Sequence, residues 1–406
     1  MFAYANGLVV LYYLEILMNK RINFKLLWVF LLAFLYAVFD AGTSASSGNR
    51  DSDRSNVYIF LILLVVSLMF FVFLKLVIKL TPLLNAQIVF SLYFFINYYL
   101  IKGSSGWNNF VLLGISVWWI FTLLFFENIL NETTDNFATI RKFARFMFVF
   151  YAIVIIYGAN NFSKNYEVEI GRVGYIYHIM ALLPILLLEQ NRKLKTLFVL
   201  ATIVLAFISF KRGSIVILPV MLAVYYYFDN RIRSSKSFLL RLVLLFVILA
   251  IAWFMFDHYT DGALSSRFTA EELADGSGRS NIYSTIITNV SKRDFIQLLF
   301  GIPNVAETTL NVGAHNEWLG RLDKMGLVGL IIFAVVFWRM VKPVFALVKR
   351  KSVLAPSYVA MIVFIIGVSL FSGLYFVHSS FYLMIYIAVV NNISKYDEKK
   401  IIEIIS

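Results

Sequence analysis

The sequence predicts an all-α polytopic membrane protein: about thirteen transmembrane helices in a single membrane domain spanning 1–406, interrupted by one large loop. Three observations predict it. Of the 406 residues, 61% are hydrophobic and only 15% charged, where a soluble domain carries roughly 25% charged residues. Apolar stretches recur along the chain at a length close to the roughly 20 residues that cross a hydrocarbon core. The basic residues between those stretches alternate in density from loop to loop. A chain surrounded by lipid must satisfy its backbone within each segment, which selects helices; a membrane barrel would show short alternating segments instead.

In order, the expected spans are 3–18, 24–39, 57–80, 83–101, 109–130, 143–158, 173–189, 194–210, 213–229, 238–256, 325–342, 355–373 and 376–392. The first has no basic leading region and no small-residue cleavage site, so it is expected to be retained rather than removed as a signal. The Lys- and Arg-rich loops are those around Lys20–Lys25, Lys75–Lys79, Arg141–Arg145, Arg192–Lys195, Arg231–Arg241, Arg339–Lys351 and Lys395–Lys400; they hold 23 of the 36 basic residues. The richer side is expected to be cytoplasmic, which places the N-terminus outside and the C-terminus inside. Residues 257–324 then form one large outer loop. Its length exceeds an ordinary connection, as functional loops do, and the pattern over 280–299 predicts a surface helix. A net charge of +13 raises the possibility of nucleic acid as a partner; the sorting of the charge by loop, with no basic domain, argues against it. The absence of Cys excludes disulfides, thiolate metal sites and Cys nucleophiles.

Candidate chemistry gathers at the outer helix ends. His315 and Asn316 are followed, after nine residues, by Gly326 and Gly329 at the start of span 325–342. An outward His with a near-neutral pKa can accept a proton from a hydroxyl; taken alone, it reads more readily as a hydrogen-bonded interface histidine. The two glycines suit close helix packing. Arg172 precedes span 173–189, Arg212 occupies the turn Phe210-Lys211-Arg212-Gly213-Ser214, and Arg279 lies in Gly276-Ser277-Gly278-Arg279-Ser280. All three fall on the side that is poor in basic residues. Each alone is more often an interface anchor; together they suit phosphate, which a guanidinium grips bidentately and a helix N-terminus supports. Asp51-Ser52-Asp53 could hold a divalent cation, but Arg50 and Arg54 flank it, and no metal site is expected. Glu15 and Glu127 are acids within or beside spans, functional candidates by that position. Trp118-Trp119 and Tyr225-Tyr226-Tyr227 read as interface belts.

From Gly171-Arg172-Val173-Gly174, through Ser209-Phe210-Lys211-Arg212-Gly213 and Ser277-Gly278-Arg279, to His315-Asn316 with Gly326 and Gly329, the chain resembles the O-antigen polymerase and ligase superfamily of bacterial membrane proteins. The resemblance covers about 160 of the 406 residues. It departs at Tyr175-Ile176-Tyr177-His178, where the family often has an Asn-Pro-Asn-like stretch. The resemblance implies a glycosyltransferase of the GT-C type in the bacterial inner membrane, with its active site facing the periplasm. It implies undecaprenyl-pyrophosphate-linked glycans as donor and acceptor, a chain-length regulator protein as a further partner, and no cofactor. His315 would be the catalytic base, Arg172, Arg212 and Arg279 would bind pyrophosphate, and Asn316, Gly326 and Gly329 would support them. Polymerisation of repeat units is the favoured reaction; ligation of the polymer to lipid A-core is the alternative within the family, and a lipid-linked oligosaccharide flippase the alternative from another class.

The charge map yields a test of orientation. In this Cys-free chain, a single cysteine introduced by Ser277→Cys should react with a membrane-impermeant maleimide in intact spheroplasts. Labelling only after lysis would reverse the map.

Overall fold

A computed structural model describes residues 23–43, 54–74, 80–97, 107–130, 135–162, 172–233, 238–266, 268–269, 279–301, 316–372 and 377–405. All regular structure among them is helical. The helices are α1 (Phe24–Thr43), α2 (Arg54–Phe73), α3 (Pro82–Phe95), α4 (Trp107–Leu130), α5 (Asp135–Phe162), α6 (Ile176–Leu186), α7 (Arg192–Ile208), α8 (Arg212–Arg233) and α9 (Phe238–Tyr259). The short α10 (Ala263–Ser266), α11 (Arg279–Ser291) and α12 (Phe295–Phe300) follow, then α13 (Glu317–Val341), α14 (Pro343–Lys349), α15 (Ala355–Phe371), α16 (Val377–Ile393) and α17 (Glu398–Ile405). Each expected span from 24–39 onward coincides with one of these helices; span 3–18 lies outside the described residues. Among the described residues, four segments are long and apolar enough to cross a membrane: Phe24–Gly42, Arg212–Ile232, Phe238–Tyr259 and Glu317–Lys349.

Every residue of α6 is buried. It packs against α5, α7, α15 and α16, while α4 joins α16 to α2 and α3, and α15 lies along α8. Outward faces are apolar and uncovered. In α9 only Leu245 and Ala252 of 22 residues are buried, and Phe246, Ile251, Phe254 and Met255 stand exposed. Each such side chain forgoes about 1.5–3 kcal/mol if left in water, so this surface fits a lipid surround.

Polar contacts divide the helix ends into two poles. At one, Arg145 pairs with Glu189, Arg241 with Asp229 at 2.9 Å, and Asn391 donates to the Glu127 carboxylate at 2.8 Å. At the other, the Tyr175 hydroxyl donates to Asp40 at 2.8 Å, Arg279 to the Phe371 carbonyl at 3.1 Å, and Asn97 to the Phe300 carbonyl at 2.7 Å. These contacts join ends that the charge pattern assigns to one side; the first set marks the basic pole, the second the loop pole. Glu127 therefore ties α4 to α16, whereas Glu15 lies outside the described residues. Trp118 and Trp119 are each only 1% exposed. They are core residues and not a belt, because α4 is enclosed by α2, α3 and α16.

The pattern expected as one helix over 280–299 is instead two helices, α11 and α12. They break at Lys292-Arg293-Asp294, where Asp294 accepts the amide of Gln297 at 2.8 Å and caps α12. Arg293 turns inward, its side chain 2% exposed, and pairs with Asp323 while donating to the Asp323 carbonyl at 3.1 Å. Beside it, Gly326 (φ 65°, ψ −168°) kinks α13. A Cβ at Gly326 would collide with the Leu299 carbonyl, and one at Gly301 (φ 80°) with the Lys324 carbonyl. Gly326 thus permits close backbone approach to 299–301 rather than the helix packing expected of it. Gly329 does serve helix packing: a Cβ there would lie 3.0 Å from the Tyr93 ring on α3.

Gly326→Ala and Gly301→Ala each force backbone apart at a left-handed position, and each should cost about 3 kcal/mol. Gly42→Ala, with nothing within 4 Å of its added Cβ, should be neutral. Thermal unfolding midpoints of the detergent-solubilised protein check both; equal midpoints would refute the backbone junction.

Candidate functional site

The site is built at the loop pole, where the first turn of α6, the α7–α8 turn and the C-terminal end of α15 meet. The α7–α8 turn is tight because Phe210 takes a left-handed conformation (φ 51°). The Ser209 hydroxyl accepts the Lys211 amide at 3.3 Å, and the Ser214 hydroxyl donates to the Lys211 carbonyl at 2.7 Å. This geometry makes Arg212 the first residue of α8, half-buried and at a helix N-terminus, where unpaired amides and the helix dipole favour an anion.

Tyr177 is the centre of the arrangement. Its ring is buried against Phe364, and its hydroxyl points at Gly213, where an added Cβ would clash with it. The Lys211 ammonium lies 5.8 Å from the ring centroid. Arg279, the first residue of α11, is close enough for its charge to act on the hydroxyl. That hydroxyl is buried and has no hydrogen-bond partner among the described residues, which costs about 1–3 kcal/mol if nothing fills the position. Arg279 and Gly213 also converge on Phe371: the guanidinium donates to its carbonyl, and a Cβ at Gly213 would lie 3.7 Å from its Cβ.

A second element reaches the same end of α15. Asn316 caps α13, its side-chain oxygen accepting the Leu319 amide at 3.1 Å. One turn in, the Trp318 indole donates to Ser369 at 3.1 Å and packs edge-on against Phe333 and Phe337. Arg321 pairs with Glu317 and lies over Phe90 and Phe333 at 5.4 and 5.8 Å. The start of α13 is thus pinned two residues from Phe371.

Among the sequence candidates, Arg279 and the turn that holds Arg212 are brought beside Tyr177, the turn through Gly213. Arg172 opens the 3₁₀ turn Arg172–Tyr175 leading into α6, and its side chain lies outside the described residues. His315 is also outside them, adjacent in sequence to Asn316. Gly326 and Gly329 stand behind the site as supports of α13. Of the other histidines, His178 is a core residue whose Nδ1 is 2.8 Å from the Ser379 hydroxyl, and His258 is exposed near the end of α9. Asp51 and Asp53 lie outside the described residues, and among the described ones no group of His, Asp and Glu is arranged to hold a metal ion. The sequence reading missed Tyr177 and Lys211 as site residues. Their signal was position: Tyr177 falls where the chain departs from the family pattern, and Lys211 abuts Arg212.

No family model matches the chain, and no curated protein matches it. Lys211 over the Tyr177 ring, Arg279 within electrostatic reach of its hydroxyl and the start of α8 at Arg212-Gly213 beside it form a basic corner at a helix N-terminus, an arrangement that suits a phosphate-bearing ligand.

Asn316 contributes a cap, so Asn316→Ala should lower stability by about 1 kcal/mol, whereas Asn316→Asp should keep it. Equilibrium unfolding in detergent checks this; an equal loss in both variants would show that the cap is not what Asn316 supplies.

Proposed function

We propose that the chain is a polytopic glycosyltransferase of the GT-C type that polymerises undecaprenyl-pyrophosphate-linked repeat units into O-antigen or a related surface polysaccharide. The observation that carries this reading is the meeting of Arg279, Lys211 and the Arg212-Gly213 turn at Tyr177, with Lys211 over its ring and Gly213 against its hydroxyl, at the same end of α15 where the Asn316-capped helix docks. The reading includes the finer topology: thirteen spans, residues 257–324 in the periplasm, and the basic pole in the cytoplasm of a bacterial inner membrane, with a chain-length regulator as partner.

In this mechanism His315, next to the docked start of α13, takes a proton from the acceptor sugar hydroxyl. The hydroxyl oxygen attacks the anomeric carbon of the donor from the face opposite the leaving group. The C–O bond to pyrophosphate breaks, and undecaprenyl pyrophosphate departs with the electron pair, so the anomeric configuration inverts. Arg172, Arg212 and Arg279 bind that pyrophosphate and balance its developing charge; preorganised charge of this kind lowers a barrier by several kcal/mol. Lys211 adds a point charge, and the Tyr177 hydroxyl donates to a phosphate oxygen, which supplies the partner it lacks.

The test is glycan profiling of a strain lacking the protein, complemented with equally expressed variants. His315→Ala should lower polymer formation by about 10²- to 10⁴-fold. Arg212→Lys keeps charge and loses the bidentate fork, so it should insert normally and be strongly impaired. Purified wild type should stay active in chelator. Accumulation of single-repeat product is the expected phenotype; free lipid-linked polymer would identify ligation instead. Full activity of both His315→Ala and Arg212→Lys would overturn the proposal.

A further inference from the structure

At the basic pole, far from the candidate site, α7, α8 and α9 enclose a cavity of about 490 Å³. The residues of α7 that line it run from Arg192 to Ile203, a reach of roughly 17 Å along the helix axis. Its composition is graded along that axis. The end near the loops carries Arg192, Lys195 and Arg241 against a single carboxylate, Asp229. The deep end is walled by Val199, Ile203 and Leu245, which are nearly inaccessible. Tyr225 and Tyr226, expected from the sequence to form an interface belt, line the middle.

A cationic mouth over an apolar shaft matches an amphiphile with an anionic head. A soluble anion would use only the mouth. The helices flanking the opening expose Leu200 (37%) and Leu244 (49%) on the outward apolar surface, so the shaft is reached from the side, through lipid. Basic pockets between transmembrane helices on the cytoplasmic side are known to take phosphate head groups, and the volume lies within the range of ligand sites. The peripheral helix adds a reason for occupancy. α9 buries only Leu245 and Ala252, and Leu245 belongs to the cavity wall; the near end of α9 is held by the Arg241–Asp229 pair at the rim of the cavity and by an edge-to-face contact between Phe238 and Tyr227.

We propose that this cavity binds one anionic phospholipid from the adjoining leaflet, its phosphate at Arg192 and Lys195 and one acyl chain along the accessible Leu200, Leu244 and Ile248. The lipid fills the gap between α7 and α9 and completes the attachment of α9. The site lies at the pole opposite the glycosyltransferase candidates, and neither reading depends on the other.

Native mass spectrometry of the full-length protein, delipidated in neutral detergent and titrated with dioleoyl phosphatidylglycerol or dioleoyl phosphatidylcholine, tests it. Wild type should bind one phosphatidylglycerol with about tenfold or greater preference, since each basic residue near an anionic head adds about a factor of five. The double variant Arg192→Gln/Lys195→Gln should lose that preference. Thr196→Trp, at an exposed cavity position, should block binding with every charge retained. Lys349→Gln/Lys399→Gln, which removes equal charge elsewhere at the basic pole, should bind as wild type. Three outcomes would overturn the proposal: equal binding of the two lipids, undiminished preference in Arg192→Gln/Lys195→Gln, or displacement of the lipid by equimolar inorganic phosphate, which would identify a soluble anion as the ligand.

Discussion

α6 has eleven residues, and all of them are buried. A helix of that length is marginal by itself, so its stability comes from the α5, α7, α15 and α16 side chains packed around it. Both ends of the helix are fastened by polar groups: Tyr175 to Asp40 at the loop pole, and Glu189 to Arg145 at the basic pole. Because α6 is short and buried throughout, neither end can slide without burying one of these groups unpaired, at a penalty of about 1–3 kcal/mol or more. The rest of the bundle inherits its register from this constraint. Tyr177 is set one turn inside the loop pole, His178 meets Ser379, and the α7 hairpin returns Lys211 and Arg212 to the level of Tyr177.

Polar contacts at each pole then act as a second level of order. Apolar helix faces in lipid pack with little directional preference, whereas a hydrogen bond or ion pair joins particular atoms. The Arg293–Asp323 pair is the most deeply placed of these among the described residues of the large loop. It fixes the junction of α11 and α12 to α13 directly beside the Gly301–Gly326 backbone contact. On the same helix, Asn316 caps the first turn and Trp318 reaches Ser369.

The two poles differ in chemistry. At the loop pole, Lys211 and Arg279 lie near a buried phenol at a helix start, which favours a compact, highly charged group. At the basic pole, cations rim an apolar shaft, which favours a head group with a tail. Both use Lys and Arg, but the neighbouring surface decides what can be bound: amides and a phenol in one case, aliphatic walls in the other.

The class of the protein and the placing of its helices were legible in the sequence, because apolar runs and loop charge are local properties read one segment at a time. Arg212 was legible for the same reason, since a Lys-Arg-Gly turn between two apolar runs leaves it one place to be. The helix break at Asp294 was readable in principle from its capping chemistry, but the apolar pattern across 280–299 hid it. Other features were decided by packing between distant segments. Trp118 and Trp119 became core residues only because α2, α3 and α16 close around α4, and Gly326 became a backbone contact only because Gly301, twenty-five residues earlier, lies against it. Tyr177 gained its cationic surroundings, and the basic-pole cavity its shape, in the same way. Hydropathy and spacing say which side of the membrane a residue faces; they carry no information on which of the other residues on that side it will meet, and that is settled by the tertiary contacts alone.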